Sequence, residues 1–154
     1  MHKTLFLILV LFSSTVLAVS DQIQSLIVGA EQGEPWAQLN LGAAYDNGIG
    51  GLQEDPVKAV EWYRKSAQQG VAEAQFNLAH CLATGRGSQQ NYAESFVWME
   101  RAAIQNVPEA QFLLGVMYMD GVGIHSDEKM ARKWLEKASK AGIEDAKTVL
   151  KRLN

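Results

Sequence analysis

Three tryptophans recur in this 154-residue chain at an interval of 36 residues: Trp62, Trp98 and Trp134. The residues around them recur at nearly the same interval, and no strand-like alternation of apolar and polar residues lies between them. A repeat of this length with helical periodicity is typical of a solenoid, in which each unit packs only against its neighbours. The spacing therefore predicts an all-α repeat fold.

The first helix of each unit carries a small residue and a bulky residue three positions apart, which places both on one helical face. We expect the small residue to let a neighbouring helix approach and the bulky one to fill the space beside it. These pairs are Gly42 with Tyr45, Ala79 with Leu82, and Gly115 with Tyr118. A pair of glycines then ends each first helix: Gly48 and Gly50, Gly85 and Gly87, Gly121 and Gly123.

The second helix of each unit begins after Asp55, Asn91 or Asp127, whose side chains are suited to accept hydrogen bonds from free amides at a helix start. Asn91 followed by Glu94 further predicts a capping box. The helices end at Gly70, Asn106 and Gly142, residue types that tolerate the left-handed conformation. The three tryptophans lie inside these helices, and we expect them to be buried in the core.

The first twenty residues do not follow the repeat and are typical of a secretory signal peptide. Lys3 precedes an apolar run from residue 5 to residue 12, and small residues follow it. We expect cleavage after Ala18 or Ser20 and a periplasmic or secreted protein. The alternative, an uncleaved anchor, is disfavoured because a spanning helix needs about 20 apolar residues.

Charge and cysteine content exclude several classes of protein. The formal net charge is −3, with no basic block, so nucleic acid is not an expected partner. Cys81 is the only cysteine, so the chain cannot form an internal disulfide. We expect Cys81 to be a small buried hydrophobic residue; the alternative is a free thiol that pairs with a partner.

The pattern Ala-Gln-Phe-x-Leu-Gly-x-x-Tyr-x-x-Gly-x-Gly, followed by Ala-x-x-Trp and a closing glycine, resembles the Sel-one-like repeat family, relatives of the tetratricopeptide repeat. Residues 110–142 show it nearly complete, and residues 74–106 depart from it at Ala79, Leu82 and Asn106. We expect a right-handed α-solenoid of antiparallel helix pairs. Its parts are a cap helix at 21–33, repeats at about 34–70, 71–106 and 107–142, and a second cap helix at 143–154.

The resemblance implies an adaptor, since such repeats serve many unrelated partners. Some secreted members of similar size have been labelled β-lactamases, but they carry paired cysteines that this chain lacks. The histidines, His2, His80 and His125, have no metal-ligand spacing, and no phosphate-binding motif occurs. We therefore predict neither a metal, nor a cofactor, nor an enzymatic activity.

We expect binding of a protein or peptide through the first helices, which line the inner, concave curve of tetratricopeptide-like solenoids. The residues assigned to this face are Leu39, Ala43, Asp46, Phe76, His80, Ala83, Phe112, Val116, Met119 and Asp120. As an alternative, Phe76 and Phe112 pack between adjacent first helices. Two other functions stay open: an exported hydrolase of cell-wall or β-lactam substrates, and a secreted effector module.

Overall fold

The computed structural model describes residues 21–153, and this part of the chain consists of eight helices with no strand. Helix α1 covers residues 21–31. The others are α2 (Pro35–Asn47), α3 (Pro56–Gln68), α4 (Ala72–Thr84), α5 (Tyr92–Ile104), α6 (Pro108–Asp120), α7 (Glu128–Lys140) and α8 (Glu144–Arg152). The predicted signal peptide, residues 1–20, lies outside the described residues.

The helices stack in chain order as three pairs, α2 with α3, α4 with α5 and α6 with α7, flanked by α1 and α8. Helices α2 to α7 are each 13 residues long, and each packs against its sequence neighbours. The predicted all-α solenoid is confirmed.

Most predicted helix ends form as the sequence indicates. The side chains of Asp55, Asn91 and Asp127 each accept a hydrogen bond from the backbone amide three residues later. Asn106 ends α5 with a φ of 65°, a left-handed conformation that asparagine tolerates. The predicted capping box is wrong, however. The Glu94 carboxylate instead accepts hydrogen bonds from Arg64 and from the Trp98 indole.

The small residue of each first helix lies directly against the second helix. A Cβ atom on Gly42 would lie 2.7 Å from a ring carbon of Tyr63, and one on Gly115 would lie 2.8 Å from Leu135 Cγ. In the middle pair the corresponding residues are Ala79 and Met99, both buried. A flexible methionine leaves room for the extra methyl group. This explains why one of the three repeats has alanine in this column, that is, in this set of equivalent positions.

The tryptophans are not equivalent. Trp98 and Trp134 are buried, with exposed fractions of 7% and 5%, whereas Trp62 is only half-buried. Trp134 belongs to the core cluster of the preceding helices, while its neighbour Leu135 belongs to the cluster with α8. The indole therefore packs against the preceding repeat. Trp62 is less buried than predicted because only α1 precedes that repeat. The Lys65 ammonium group covers the exposed ring, 3.8 Å from its centre.

Candidate binding site

An apolar pocket of about 220 Å³ opens between the second and third repeats. Helices α4, α5 and α6 form its walls, and the turn after α6 closes one side. Its lining consists of His80, Ala83, Tyr92, Ser95, Met99, Leu113, Val116, Met117 and Val122. An engineered apolar cavity of about 150 Å³ holds a benzene molecule, so this pocket has room for one large side chain.

The pocket exists because an ion pair is replaced by small apolar residues. Between the first and second repeats, Arg86 spans the corresponding place: its Nε donates to Asp46 Oδ1 and its Nη2 to the Asp46 carbonyl, both at 2.8 Å. One repeat further on, Ala83 stands in the column of Asp46 and Val122 in the column of Arg86. These two side chains are too short to meet, and the space between the first helices stays open.

The Ser95 and Tyr92 hydroxyl groups of the lining are hydrogen-bonded, and the surface inside the pocket is apolar. The Ser95 hydroxyl donates to the Ala79 carbonyl at 2.7 Å. The Gln90 side-chain amide donates to the Ala83 carbonyl at 2.7 Å and to the Tyr92 hydroxyl at 2.9 Å. These bonds hold the Tyr92 ring, which is 45% exposed, beside the pocket. His80, the only histidine of the lining, is exposed.

The structure brings three of the predicted site residues together in this pocket: His80 and Ala83 from α4, and Val116 from α6. It places Leu39 in the core with an exposed fraction of only 3%, so Leu39 cannot contact a partner as predicted. A large apolar residue in a first helix is as readily drawn between helices as towards a binding surface. The sequence pattern alone does not distinguish the two.

The remaining predicted residues lie outside the pocket lining. Ala43 and Phe76 are half-buried against the main core, and Phe112 packs against the cluster formed by α7 and α8. The alternative interpretation of the two phenylalanines, as packing residues, thus agrees with their positions. Asp46 is held by Arg86. Met119 is half-buried and Asp120 exposed.

Sequence reasoning missed six of the lining residues. Leu113 had a signal, since it lies three positions before Val116 on the same helical face, and Met117 follows Leu113 by four positions, again at helical spacing. Val122 could have been found by comparing it with Arg86 in the preceding repeat. Tyr92, Ser95 and Met99 come from a second helix and had no signal in the first-helix register.

The chain also contains a Ser-x-x-Lys sequence, Ser126 to Lys129, the spacing found in serine β-lactamases. Both residues are exposed at the start of α7, beside the capping residue Asp127. Neither lines the apolar pocket. Among residues 21–153, no cluster of three or more potential metal-ligating side chains occurs.

Stacked helix pairs with an exposed pocket between adjacent first helices define a helical-repeat scaffold. The family model of the Sel1 repeat matches residues 37–71, 72–107 and 108–143, and the chain belongs to this family. Sel1-repeat proteins are in general non-enzymatic scaffolds, typically of protein interactions.

Solved structures agree with this assignment. A Sel1 repeat protein from Oxalobacter formigenes is 37% identical, with a TM-score of 0.77 over 85% of this chain and 98% of that one. A protective antigen of uropathogenic Escherichia coli with an SLR fold is 35% identical, with a TM-score of 0.76 over 80% of this chain and 26% of that chain. Cysteine-rich protein B of Helicobacter pylori shares the fold at 22% identity, with a TM-score of 0.65 over 86% of this chain and 95% of that one.

A curated relative shares a shorter segment. An F-box protein of Arabidopsis thaliana is 39% identical over 57 residues, which is 37% of this chain and 15% of that protein. The match thus covers a small part of the relative. In the described part of the chain, no helix is long and apolar enough to cross a membrane.

Proposed function

We propose that this protein is a non-catalytic scaffold that binds a protein or peptide through its first helices, with the pocket between α4 and α6 as the main anchor site. The observation that carries the proposal is the replacement of the Asp46–Arg86 ion pair by Ala83 and Val122, which leaves an apolar pocket in an otherwise filled position. A preformed pocket on packed helices needs little ordering when a ligand binds.

The pocket chemistry favours one large apolar side chain, such as leucine, methionine or phenylalanine, as the anchor. The surface inside the pocket is apolar, so a polar or charged side chain would lose its hydration there without a new partner. Burying one such apolar side chain contributes about 1.5–3 kcal/mol. The exposed His80 and Tyr92 lie beside the pocket, where they can contact the polypeptide around the anchor.

The Asp46–Arg86 ion pair suggests a variant in which the apolar pocket is blocked. The double substitution Ala83→Asp and Val122→Arg places in the pocket the ion pair that joins the first and second repeats. We expect the full chain to select, from a displayed random-peptide library, peptides with one large apolar anchor. Loss of the anchor contact should weaken binding of these peptides by about 10- to 100-fold in the double variant.

A matched control is Val97→Asp with Ile104→Arg, which also adds one charge of each sign. Both residues are exposed on α5 and do not line the pocket. Circular dichroism and thermal melting establish that each variant is folded. Equal binding by the blocking variant and the control would show that the pocket is not the anchor site.

We further propose that residues 1–20 direct export and are removed after Ala18 or Ser20, leaving a periplasmic or secreted scaffold. The apolar run after Lys3 and the small residues that follow it support this proposal. Expression of the full chain in a Gram-negative bacterium, followed by cell fractionation and intact mass measurement, tests it. Full-length mass in the cytoplasmic fraction would contradict export.

The alternative of an exported hydrolase has a direct test at Ser126. We expect no hydrolysis of a reporter β-lactam by the purified protein, because Ser126 and Lys129 lie exposed on the surface rather than in an enclosed site. Hydrolysis that disappears in Ser126→Ala, with an unchanged melting temperature, would contradict a non-catalytic scaffold.

A further inference from the structure

Two glutamines at equivalent positions link the ends of α3 and α5 to the turns that begin their own repeats. Gln69 Nε2 donates to the Gly33 carbonyl at 3.0 Å and to Gln38 Oε1 at 2.8 Å. Gln105 Nε2 makes the same two bonds one repeat later, to the Gly70 carbonyl at 3.0 Å and to Gln75 Oε1 at 2.8 Å. Each primary amide thus gives both hydrogens to a fixed pair of acceptors.

The third repeat keeps the acceptors but lacks the donor. Ala141 stands in the glutamine column, and the acceptors that correspond to those of Gln105 are the Asn106 carbonyl and Gln111 Oε1. Gln111 is buried, and its Nε2 donates to the Ala103 carbonyl at 3.2 Å, just as Gln75 Nε2 bonds to the Ala67 carbonyl. This bond fixes the direction of its Oε1.

The space of the missing glutamine is a cavity of about 330 Å³, lined by Asn106, Gln111, Lys137, Lys140 and Ala141. We call it the Ala141 notch. Within the described residues, no side chain donates to the Asn106 carbonyl or to Gln111 Oε1. The Asn106 side chain is close by, but in this contact its Oδ1 accepts from Gln111 Nε2, at 3.5 Å. The contact therefore gives Gln111 Oε1 no donor.

We propose that the Ala141 notch binds a primary carboxamide, the side chain of a glutamine or asparagine presented by a partner polypeptide. Two acceptors that share one donor atom require a group with two hydrogens on that atom: a primary amide, an ammonium or a guanidinium. The positive charges of Lys137 and Lys140 oppose a cation in this space. A carboxylate has no hydrogen to donate, so the neutral primary amide fits best.

The amide of the ligand has a second role in the same geometry. Its carbonyl oxygen is an acceptor, and Lys137 and Lys140, which line the notch, carry ammonium groups that can donate to it. Lys137 is oriented by the Trp134 ring, with its Nζ 4.4 Å from the ring centre. The site is separate from the apolar pocket between α4 and α6 and does not depend on it.

The first test is a titration of the isotope-labelled full chain followed by NMR, with N-acetylglutamine N-methylamide as the probe. We expect saturable shifts of the backbone amides of Gln111, Ala141 and Gly142. The glutamate and lysine analogues of the probe should bind at least about tenfold more weakly, the equivalent of one lost hydrogen bond. Free glutamine, in a parallel titration, distinguishes a polypeptide side chain from a free amino acid as the source of the amide.

A second test uses the chain itself. The substitution Ala141→Gln supplies the amide internally, and we expect it to remove the probe-induced shifts and to raise the melting temperature. Ala141→Met is the matched control, because methionine has similar length and no donor. A melting temperature equal in the two variants, shifts that persist in Ala141→Gln, or equal shifts with the glutamate or lysine probe would each overturn the proposal.

Discussion

A side chain on Gly87 would collide with the carbonyl oxygen of Pro56: a Cβ atom there would lie 2.0 Å from that oxygen. Gly87 belongs to the turn after α4, and Pro56 begins α3 of the preceding repeat. In the same way, a Cβ atom on Gly123 would lie 2.2 Å from the carbonyl oxygen of Tyr92. The second glycines of the second and third repeats, Gly87 and Gly123, therefore let one repeat dock on the start of the previous second helix.

This contact predicts that Gly87→Ala is strongly destabilising. Gly87 has a φ of +71°, where an alanine costs about 1–2 kcal/mol, and the collision with Pro56 adds to that cost. Gly70→Ala is the matched control, since Gly70 has a φ of +91° but no atom near its added Cβ. Urea unfolding should show a larger loss of unfolding free energy for Gly87→Ala. Equal losses would mean that the turn and α3 separate at little cost.

The unequal burial of the tryptophans predicts unequal effects of truncation. Trp98 is buried between repeats, so Trp98→Ala should lower the unfolding free energy by about 3–5 kcal/mol. Against a typical total of about 5–15 kcal/mol, this leaves the array close to unfolding. Trp62→Ala should cost less because its ring is already half-exposed. Thermal melting of both variants decides the point, and a larger effect at Trp62 would contradict the burial pattern.

The fold was predictable because the residues of one column meet the same structural requirement in all three repeats. Asp55, Asn91 and Asp127 are all caps, and Gly70, Asn106 and Gly142 all adopt positive φ. The binding site was less predictable because it depends on departures from the columns. The pocket forms where Val122 and Ala83 stand at the positions that Arg86 and Asp46 occupy one repeat earlier. That Asp46 and Arg86 form a pair is seen only when the helices are placed side by side.

The other differences between prediction and structure concern how deeply a residue is buried by the helices around it. Trp62 occupies the same column as Trp98, but only α1 precedes its repeat, so the same residue is less buried. Leu39 has the apolar character of a binding residue, yet it lies in the core. Periodicity specifies which face a residue occupies. It does not specify how much of that face the neighbouring helices cover.

The buried indole of Trp134 lacks a partner that its counterpart possesses. Trp98 Nε1 donates to Glu94 Oε1 at 3.2 Å, whereas Trp134 Nε1 is buried with no acceptor among the described residues. Met130 stands four residues before Trp134, in the column of Glu94. An unsatisfied buried donor costs about 1–3 kcal/mol.

We therefore expect Met130→Gln to stabilise the protein by about 1 kcal/mol, after the loss of the apolar contacts of the half-buried Met130. The neutral amide oxygen of glutamine can accept the indole hydrogen bond, whereas a glutamate would face Glu100, which stands in the column of Arg64. Met130→Leu, which keeps the apolar character, should not be stabilising. Thermal melting of the two variants and the wild type measures the difference. A lower melting temperature for Met130→Gln than for Met130→Leu would show that apolar packing outweighs the hydrogen bond at this position.

Burial raises the pKa of the Cys81 thiol from 9.0 to about 11, because the thiolate would lose its hydration. Cys81 lies in the core with an exposed fraction of 3%. Since the thiolate is the reactive form, alkylation of the native protein by iodoacetamide at pH 8 should be slow. The double variant Cys81→Ala with Ala93→Cys places the single thiol on the exposed surface of α5 and should react rapidly.

The same shift predicts a pH effect on stability. Between pH 9 and pH 11 the unfolded thiol loses its proton while the folded thiol keeps it, so ionisation of this group favours the unfolded chain. The stability of the wild type should therefore fall relative to Cys81→Ala as the pH rises through this range. Urea unfolding of both proteins at pH 8 and pH 10 measures the difference. A constant difference, together with rapid alkylation at pH 8, would show that the Cys81 thiol is accessible to solvent.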